Sequence, residues 1–462
     1  MIQKNYTYNS FNASKHSELM RIFVSILIIV LIPIISYCQD EGPPNPGTVD
    51  STTVVKKPTA FEDTVYTSDI SGEFTPGKGF DIVKTKAGSL NISGYAVGRW
   101  LDQLPGDQTF TDHLGRERTI HTRNDIMIHR VFVWLTGFLG TPSFRYNLTI
   151  WGLSTTQQAL IFGNLQYSVG RSLRLGVGIG PNLGCRSLQG TWPFFNASDR
   201  QLGEEAMRPG FTGSFWITGE VLPRLYYTAQ VGDNLSLLGV TASFLTRNLS
   251  TGLSLWWMPT TGEFGPRGGN GDLENHHELA TRFGFSYTHA RDSRFSPVSD
   301  STTLNTQIKL SDGINLFEKS SLAPGVTLIN ANYDEASADI SFKYRGFFME
   351  LEYFGKYHSK FDANGPLPMT SILDHAVQVD VSHMVIPYTL CAYLSGTYTI
   401  DQFKRYPHEV SAGLNYYPLH TRSWRLNAHF IYVTKSSASS NFGYYVAGQS
   451  GPTLSLGTDI LL

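Results

Sequence analysis

The sequence predicts an all-β chain: a transmembrane antiparallel β-barrel of about 16–18 strands, with short periplasmic turns and long extracellular loops. Three observations carry this. Apolar and polar residues alternate with a period of two in one segment after another. Charge is scarce at 16%, while aromatics reach 13% and glycines number 44. A secretion-type apolar segment stands ahead of every strand pattern.

The alternation is clearest where Leu173, Leu175, Val177 and Ile179 interleave with Ser172, Arg174, Gly176 and Gly178. Beside it, Leu165, Tyr167 and Val169 interleave with Asn164, Gln166 and Ser168. A period of two places each set on its own face of a strand. A soluble sandwich would bury the apolar face, whereas an outer-membrane barrel turns it to lipid and keeps the polar face for a wet lumen. The alternation alone does not choose, but the composition does. Soluble domains carry roughly 25% charge, and belts of Tyr, Trp and Phe mark both interfaces of a barrel. No stretch reaches the roughly 20 apolar residues of a spanning helix. A formal charge of −2 gives no bulk field for nucleic acid.

The one long apolar run, Ile22 to Ile35, is broken by Pro33, follows Arg21 and ends in Ser36-Tyr37-Cys38-Gln39. This is the pattern of a cleaved signal, expected over 1–38, with 1–19 as an extension ahead of Met20. Bulky Tyr37 argues against a lipidated Cys38. Segment 39–87, rich in Pro, Gly, Asp and Thr up to Pro58, reads as a periplasmic leader and barrel entry, and 88–462 as the barrel. Cys185 and Cys391 remain, too few for a disulfide framework, and their pairing stays open.

Strands are expected near 88–101, 123–138, 143–153, 160–169, 172–180, 211–220, 224–231, 236–245, 249–258 and 279–289. They resume near 336–345, 347–358, 374–385, 390–399, 408–418, 423–434 and 451–462, and a further one at 304–310 makes the number even. Gly140-Thr141-Pro142, Gly170-Arg171, Val221-Leu222-Pro223 and Arg345-Gly346 read as short turns. Segments 102–122, 181–210, 259–278, 359–373 and 435–450 read as long loops of the opposite end. Closure removes the edges that so many strands would expose. The last segment puts Leu454, Leu456, Ile460 and Leu462 on one face, like the C-terminal signal of inserted barrels, although it ends in Leu462 and not Phe.

Pro76-Gly77-Lys78-Gly79-Phe80, Pro223-Arg224-Leu225-Tyr226-Tyr227 and Gly413-Leu414-Asn415-Tyr416-Tyr417-Pro418 resemble segments of the phosphate-selective porin O and P family. The likeness is to its Bacteroidetes-type members and runs from about Pro76 to Leu462. The resemblance implies a 16-stranded, usually trimeric diffusion pore in the outer membrane of a Gram-negative bacterium. It also implies anion selectivity set by inward arginines and lysines near a constriction.

Placing the apolar register outward turns Arg99, Arg130, Arg145, Arg174, Arg224, Arg282, Lys343, Arg345 and Arg425 inward as anion-path candidates. The same rule turns Glu220, Glu350, Glu352, Asp380, Glu409 and Asp459 inward, so bases gather in the first half and acids in the second. Arginine suits anion transit because its planar fork stays charged and offers several donors. The plainer alternative is that these groups pair with one another. Segment 181–210 is a candidate constriction loop carrying Arg186, Asp199, Arg200, Glu204, Glu205 and Arg208, with Trp192, Phe194 and Phe195 to anchor it to the wall. An ordinary extracellular loop is the plainer alternative there.

Other features point nowhere. Gly176, Gly178, Gly180 and Gly184 imitate a nucleotide-binding pattern without its helix and read as small inward residues that leave lumen space. Glu274-Asn275-His276-His277-Glu278 has metal-ligand residue types, but adjacent histidines rarely converge on one ion. Asn270, Asp272 and Glu274 are an ordinary oxygen-rich loop, so no metal or cofactor is expected. His129, His289, His383 and His429 have no serine motif beside them, so no enzyme is expected. The expected function is passive diffusion of small hydrophilic solutes, with a preference for anions such as phosphate, by a homotrimer embedded in outer-membrane lipid. The alternative is a non-conducting barrel that binds or anchors, and a filled lumen would favour it.

Overall fold

Strands begin where the period-two pattern begins. The computed structural model describes residues 76–462, apart from 105, 154–157, 182, 190–191, 234, 236–247, 266–268, 294–307 and 439–442. Its elements are β1 (Phe80–Lys84), β2 (Ser89–Gln103), β3 (Gln108–Thr111), β4 (Glu117–Ile120), β5 (Asn124–Leu139), β6 (Thr141–Leu153), β7 (Gln158–Ser168) and β8 (Arg174–Pro181). A helix α1 (Leu202–Met207) precedes β9 (Phe211–Leu222), β10 (Leu225–Gly232), β11 (Ser250–Trp257) and β12 (Ala280–Ser293). β13 (Leu328–Tyr344), β14 (Phe347–Ala363), β15 (Ser371–Ile386), β16 (Leu390–Ile400), β17 (His408–Tyr416), β18 (Trp424–Thr434) and β19 (Gly451–Leu461) complete it.

β2 and then β5 to β19 pair in chain order, every pair antiparallel, and β19 pairs back to β2 through Leu461↔Tyr95. The barrel is closed, with 16 strands. β1 lies outside this ring, on the part of β2 that extends past the end of β19. β3 and β4 form a separate hairpin within the β2–β5 loop.

The expected strand at 236–245 lies outside the described residues, and β10 pairs directly with β11. Of the expected strand at 304–310, residues 304–307 lie outside the described residues, Lys309 makes one isolated bridge to Asn315, and β12 pairs directly with β13. The expected signal and most of the leader lie outside the described residues.

Side-chain alternation follows the barrel sense. Ile126, Ile161, Phe215, Leu351, Val410, Phe430 and Leu456 are exposed on the outer wall. Their opposite-parity neighbours, such as Thr149, Ser254, Ser286, Glu352, Thr399 and Ser455, are buried inside. Leu175 and Val177 are exposed as expected. Leu173 belongs to the β7–β8 turn, where its carbonyl accepts from Val169 N. Ile179 is half-buried and packs against an inner aromatic cluster, so the four do not share one lipid-facing row.

Connections alternate between two ends. Six of those at one end are short: Gly140, 169–173, 223–224, 345–346, 387–389 and 417–423. Short turns face the periplasm in this class of barrel. Segment 258–279 breaks the rule. It joins β11 to β12 and shares the end of the β9–β10 and β13–β14 turns. The expectation that it lies with the long extracellular loops is therefore corrected by strand parity.

Candidate functional site: a lumen filled from both ends

The connection after β8 crosses the lumen. Trp192 is fully buried against the β2 and β5 wall, with ring centroids 4.6 Å from Tyr95 and 5.1 Å from Phe132. Phe194, Phe195, Trp134, Trp151 and Phe211 join this cluster. From there the chain runs to the far wall. Leu202 N donates to Glu409 Oε2 at 3.1 Å, Gly203 N to Thr397 Oγ1 at 3.3 Å, and Gln201 Nε2 to Asp380 Oδ2 at 2.9 Å. Tyr333 Oη donates to Met207 O at 3.0 Å, and Lys356 Nζ to Ala206 O at 2.9 Å. An aromatic anchor at one wall and polar ties at the other span the barrel.

The candidate charges of this loop are all inside. Arg186 pairs with Glu350 on β14, and its backbone N donates to Glu352 Oε1 at 3.0 Å. Asp199 pairs with Arg130 of β5 at 2.9 Å. Arg200 is buried with its guanidinium 5.5 Å from the Phe195 ring. Glu204 is buried beside Gln378, and Glu205 pairs with Arg208 at 3.3 Å.

The wall candidates divide into three groups. Arg99, Arg130, Arg282, Lys343 and Arg425 are buried and inward. Arg425 Nε donates to Asp459 Oδ2 at 3.0 Å, and its Nη atoms donate to three loop carbonyls: Phe195 at 2.6 Å, Asn196 at 3.1 Å and Ala197 at 3.2 Å. Arg282 pairs with Asp339 and donates to Gln189 Oε1 at 2.7 Å. Arg99 donates to Gly443 O at 2.9 Å and lies 4.7 Å over the Tyr444 ring. These placements match the register, but the groups are tied up in ion pairs and loop contacts.

Arg145 and Arg174 form the second group, half-buried on the inner face close to the short-turn end. Arg145 pairs across with Gln166, and Arg174 Nε donates to Ser168 Oγ at 3.1 Å.

Arg224 and Arg345 form the third group, and here the inward placement is corrected. Both lie in turns, are exposed and have positive φ, 68° and 49°. Strand alternation does not extend into a turn, so parity mispredicted them. Arg224 donates instead to Pro259 O at 2.6 Å and Thr260 O at 2.5 Å.

From the periplasmic end, segment 258–279 fills the rest. Phe264 is buried against Phe348, with Lys343 Nζ 4.9 Å from its ring. Leu273 packs against Met384, Cys391 and Tyr417. Asn270 N donates to Phe194 O at 2.7 Å, and Asn270 Nδ2 to Asp380 Oδ2 at 3.0 Å. Asp380 thus accepts from both inserts, since Asn196 Nδ2 also donates to it at 2.9 Å.

Asp272, Glu274 and His276 do converge, with ligand atoms within 4.8 Å of one another. The chain's own donors engage them. His276 Nδ1 pairs with Asp272 and Nε2 with Glu263 at 2.9 Å, while Gly346 N donates to Asp272 Oδ2 at 2.7 Å and Lys343 Nζ lies 4.0 Å from Glu274. Burial works against charge on His276, but the two carboxylates outweigh it and raise its pKa to about 9. Burial likewise opposes ionised Asp272 and Glu263, and His276 outweighs it and holds both low. The arrangement is an internal ion cluster already supplied with positive charge.

One more reading is corrected, and one left open is answered. Gly176 does not leave lumen space: a Cβ there would lie 2.1 Å from Trp216 Cε2, so the indole occupies it. Cys185 and Cys391 are buried and unpaired.

Strand order sets the fixed charges across the lumen. Arg99 and Arg130 stand on β2 and β5. Across the ring, β13 to β15 carry Glu335, Asp339, Glu350, Glu352, Asp374 and Asp380, all buried. Above the loop, Ile308, Leu310, Ile314, Leu316, Phe317 and Leu322 pack with Tyr333 and Ile372 at the extracellular end.

Comparison with known proteins adds the fold alone. No family model matches the chain, and no curated protein matches it. Among solved structures it is similar to the outer-membrane expressed OmpT of Vibrio cholerae, with 12% identity, 82% of this chain and 100% of that one covered, and a TM-score of 0.51. It is also similar to an anion-selective porin from Comamonas acidovorans, at 10% identity, 81% and 100% coverage and a TM-score of 0.49. The outer membrane channel DcaP of Acinetobacter baumannii follows at 9% identity, 83% and 99% coverage and a TM-score of 0.46. The first of these likenesses extends over almost the whole barrel.

This chain is an outer-membrane β-barrel. Its place is the outer membrane of a Gram-negative bacterium, where it crosses with strands, and no described helix is long and apolar enough to span.

Proposed function

We propose that the barrel is a porin, through which small hydrophilic solutes diffuse passively. The observation that carries this is the unsatisfied polarity of its inner wall. Ser93 Oγ, Thr288 Oγ1, Thr399 Oγ1, Ser455 Oγ and both ring nitrogens of His358 are buried without a protein partner. Buried polar groups demand a partner, and water is the one available inside a barrel. A permanent solid core gains more from apolar filling than from paired charges, which often cost as much to desolvate as they return. A wall of this kind suits a lumen that wets.

The finer reading keeps the phosphate-selective porin O and P family, anion preference and the homotrimer as parts of this proposal. The buried arginines pair with carboxylates or hold the loop. Arg145 and Arg174 stand half-buried on the inner face nearest the periplasmic mouth, where positive charge biases entry towards anions.

One observation favours the alternative, a non-conducting barrel that binds or anchors: the inner wall is buried by the two inserts and, towards the extracellular end, by residues 308–322 and 443–445. Planar-bilayer recordings of the purified chain decide between them. Discrete current steps with an anion-favouring reversal potential in a salt gradient support the porin. Silence in both the native chain and a variant with a loosened loop supports the alternative.

A further inference from the structure

We propose that segment 258–279 is a periplasmic plug that docks reversibly in the lumen at Asp380 and sets how freely the pore conducts. The proposal rests on the porin reading. Its first support is position. The segment is the one long connection among the described turns at the periplasmic end, and it enters the barrel from below. It meets the extracellular loop head-on, through Asn270 N to Phe194 O and through the side chains of Asn196, Gln201 and Asn270 gathered on the Asp380 carboxylate.

The second support is the chemistry of docking. Phe264 and Leu273 give two apolar footholds. The remaining ties are polar: Asn270 to Asp380, Gly346 N to Asp272, and His276 between Asp272 and Glu263. Water replaces such ties at little net cost, because the released groups rehydrate. Undocking into the periplasm therefore exposes groups that suit water, including Asp380 and Lys343 on the wall.

The third support is the backbone. Gly265 and Gly271 adopt positive φ, 74° and 77°, and Asn270, which reaches Phe194 and Asp380, directly precedes the second. The base of the segment, His277, Glu278 and Leu279, is exposed and precedes β12 directly. The described contacts thus make a tethered element with a polar latch. It differs from the extracellular loop, which is pinned by an aromatic cluster and by Arg425.

The test uses the full chain in a Cys38→Ser, Cys185→Ser, Cys391→Ser background carrying Asn270→Cys and Asp380→Cys. A short bis-thiosulfonate reagent bridges the two thiols and a reductant frees them, while current is recorded in a planar bilayer. Bridging should lower conductance by about fivefold or more, because it removes the open population, and reductant should restore it. A second variant, with 261–276 replaced by a Gly-Ser linker, should conduct several-fold more than the native chain. Heat-modifiable migration on gels verifies that each barrel is closed. Equal current in the bridged and reduced states, or native-level current in the linker variant, overturns the plug and leaves the porin reading standing. If neither the native chain nor the linker variant conducts, the porin reading falls and the plug with it.

Discussion

Replacing Arg425 by Met tests the extracellular loop most directly. The guanidinium holds Asp459 and three consecutive loop carbonyls, those of Phe195, Asn196 and Ala197. Met keeps much of the stem volume and removes the charge. Breaking a buried ion pair by deleting one partner costs about 3–5 kcal/mol. Arg422 Nη1 stays on Asp459 at 2.5 Å, so that carboxylate keeps a cation and the cost falls near the lower end. The lost loop bonds overlap with this figure and are not added to it. An expected destabilisation of about 3 kcal/mol corresponds to roughly a hundredfold shift towards the undocked loop, if it falls on loop docking. Urea unfolding in lipid vesicles, followed by tryptophan fluorescence, measures total stability, and single-channel current reports the loop. Arg425→Met should unfold at lower urea and pass more current. Stability within about 1 kcal/mol of native, together with unchanged current, would refute the assignment of Arg425 as the loop's clamp.

Three further outcomes are expected. Val177→Arg, on the lipid side of β8, should cost about 2–4 kcal/mol if it lies near the midplane, measured by the same unfolding assay; aqueous thiol reagents labelling position 177 faster than 174 would reject the register. His276 has a folded pKa raised from 6.5 to about 9, so its contribution to docking is complete below about 6.5 and is lost as pH rises through about 9. Labelling of Asn270→Cys in the cysteine-free background should accordingly speed up above about pH 9, and His276→Gln should flatten that profile. Arg145→Ala with Arg174→Ala should move the reversal potential towards cations more than either change alone, since salt screens single charges beyond about 8–10 Å; an unmoved potential leaves both as plain lining.

Much of the wall was legible in the sequence because period-two alternation is local. Each of the 16 strands lies within a few residues of its expected place, except that β13 starts at Leu328, eight residues before the predicted 336. Alternation also sorted Glu350, Glu352, Asp380, Glu409 and Asp459 inward, and all five are buried. It failed where its premise fails. Arg224 and Arg345 sit in positive-φ turns, where parity has no meaning, and Ile179 follows Gly178, whose φ of 138° breaks the regular pleat. The loop that crosses the lumen carried a readable signal in Trp192, Phe194 and Phe195, because three aromatics in a polar connection need a surface to cover them. Its partners on the far wall, such as Gln378 and Thr397, carried none: they are ordinary inward polar residues until a loop reaches them.

Segment 258–279 shows where local reading stops and counting begins. Its composition is that of any exposed loop, and its length put it with the extracellular connections. The end on which a connection lies depends on how many strands precede it. The expected strands at 236–245 and 304–310 add two to the count, so the turns at Gly140, 170–171, 221–223 and 345–346 still share one end and only the connections between the two additions change side. In the structure β10 pairs directly with β11 and β12 with β13, which places 258–279 at the periplasmic end, between the turns 223–224 and 345–346. The placement has physical content. Short turns at the periplasmic end leave that mouth open by default, so a long polar insert there has to go somewhere. Phe264 and Leu273, the large apolar side chains between the segment's ends at Met258 and Leu279, are what direct it inward.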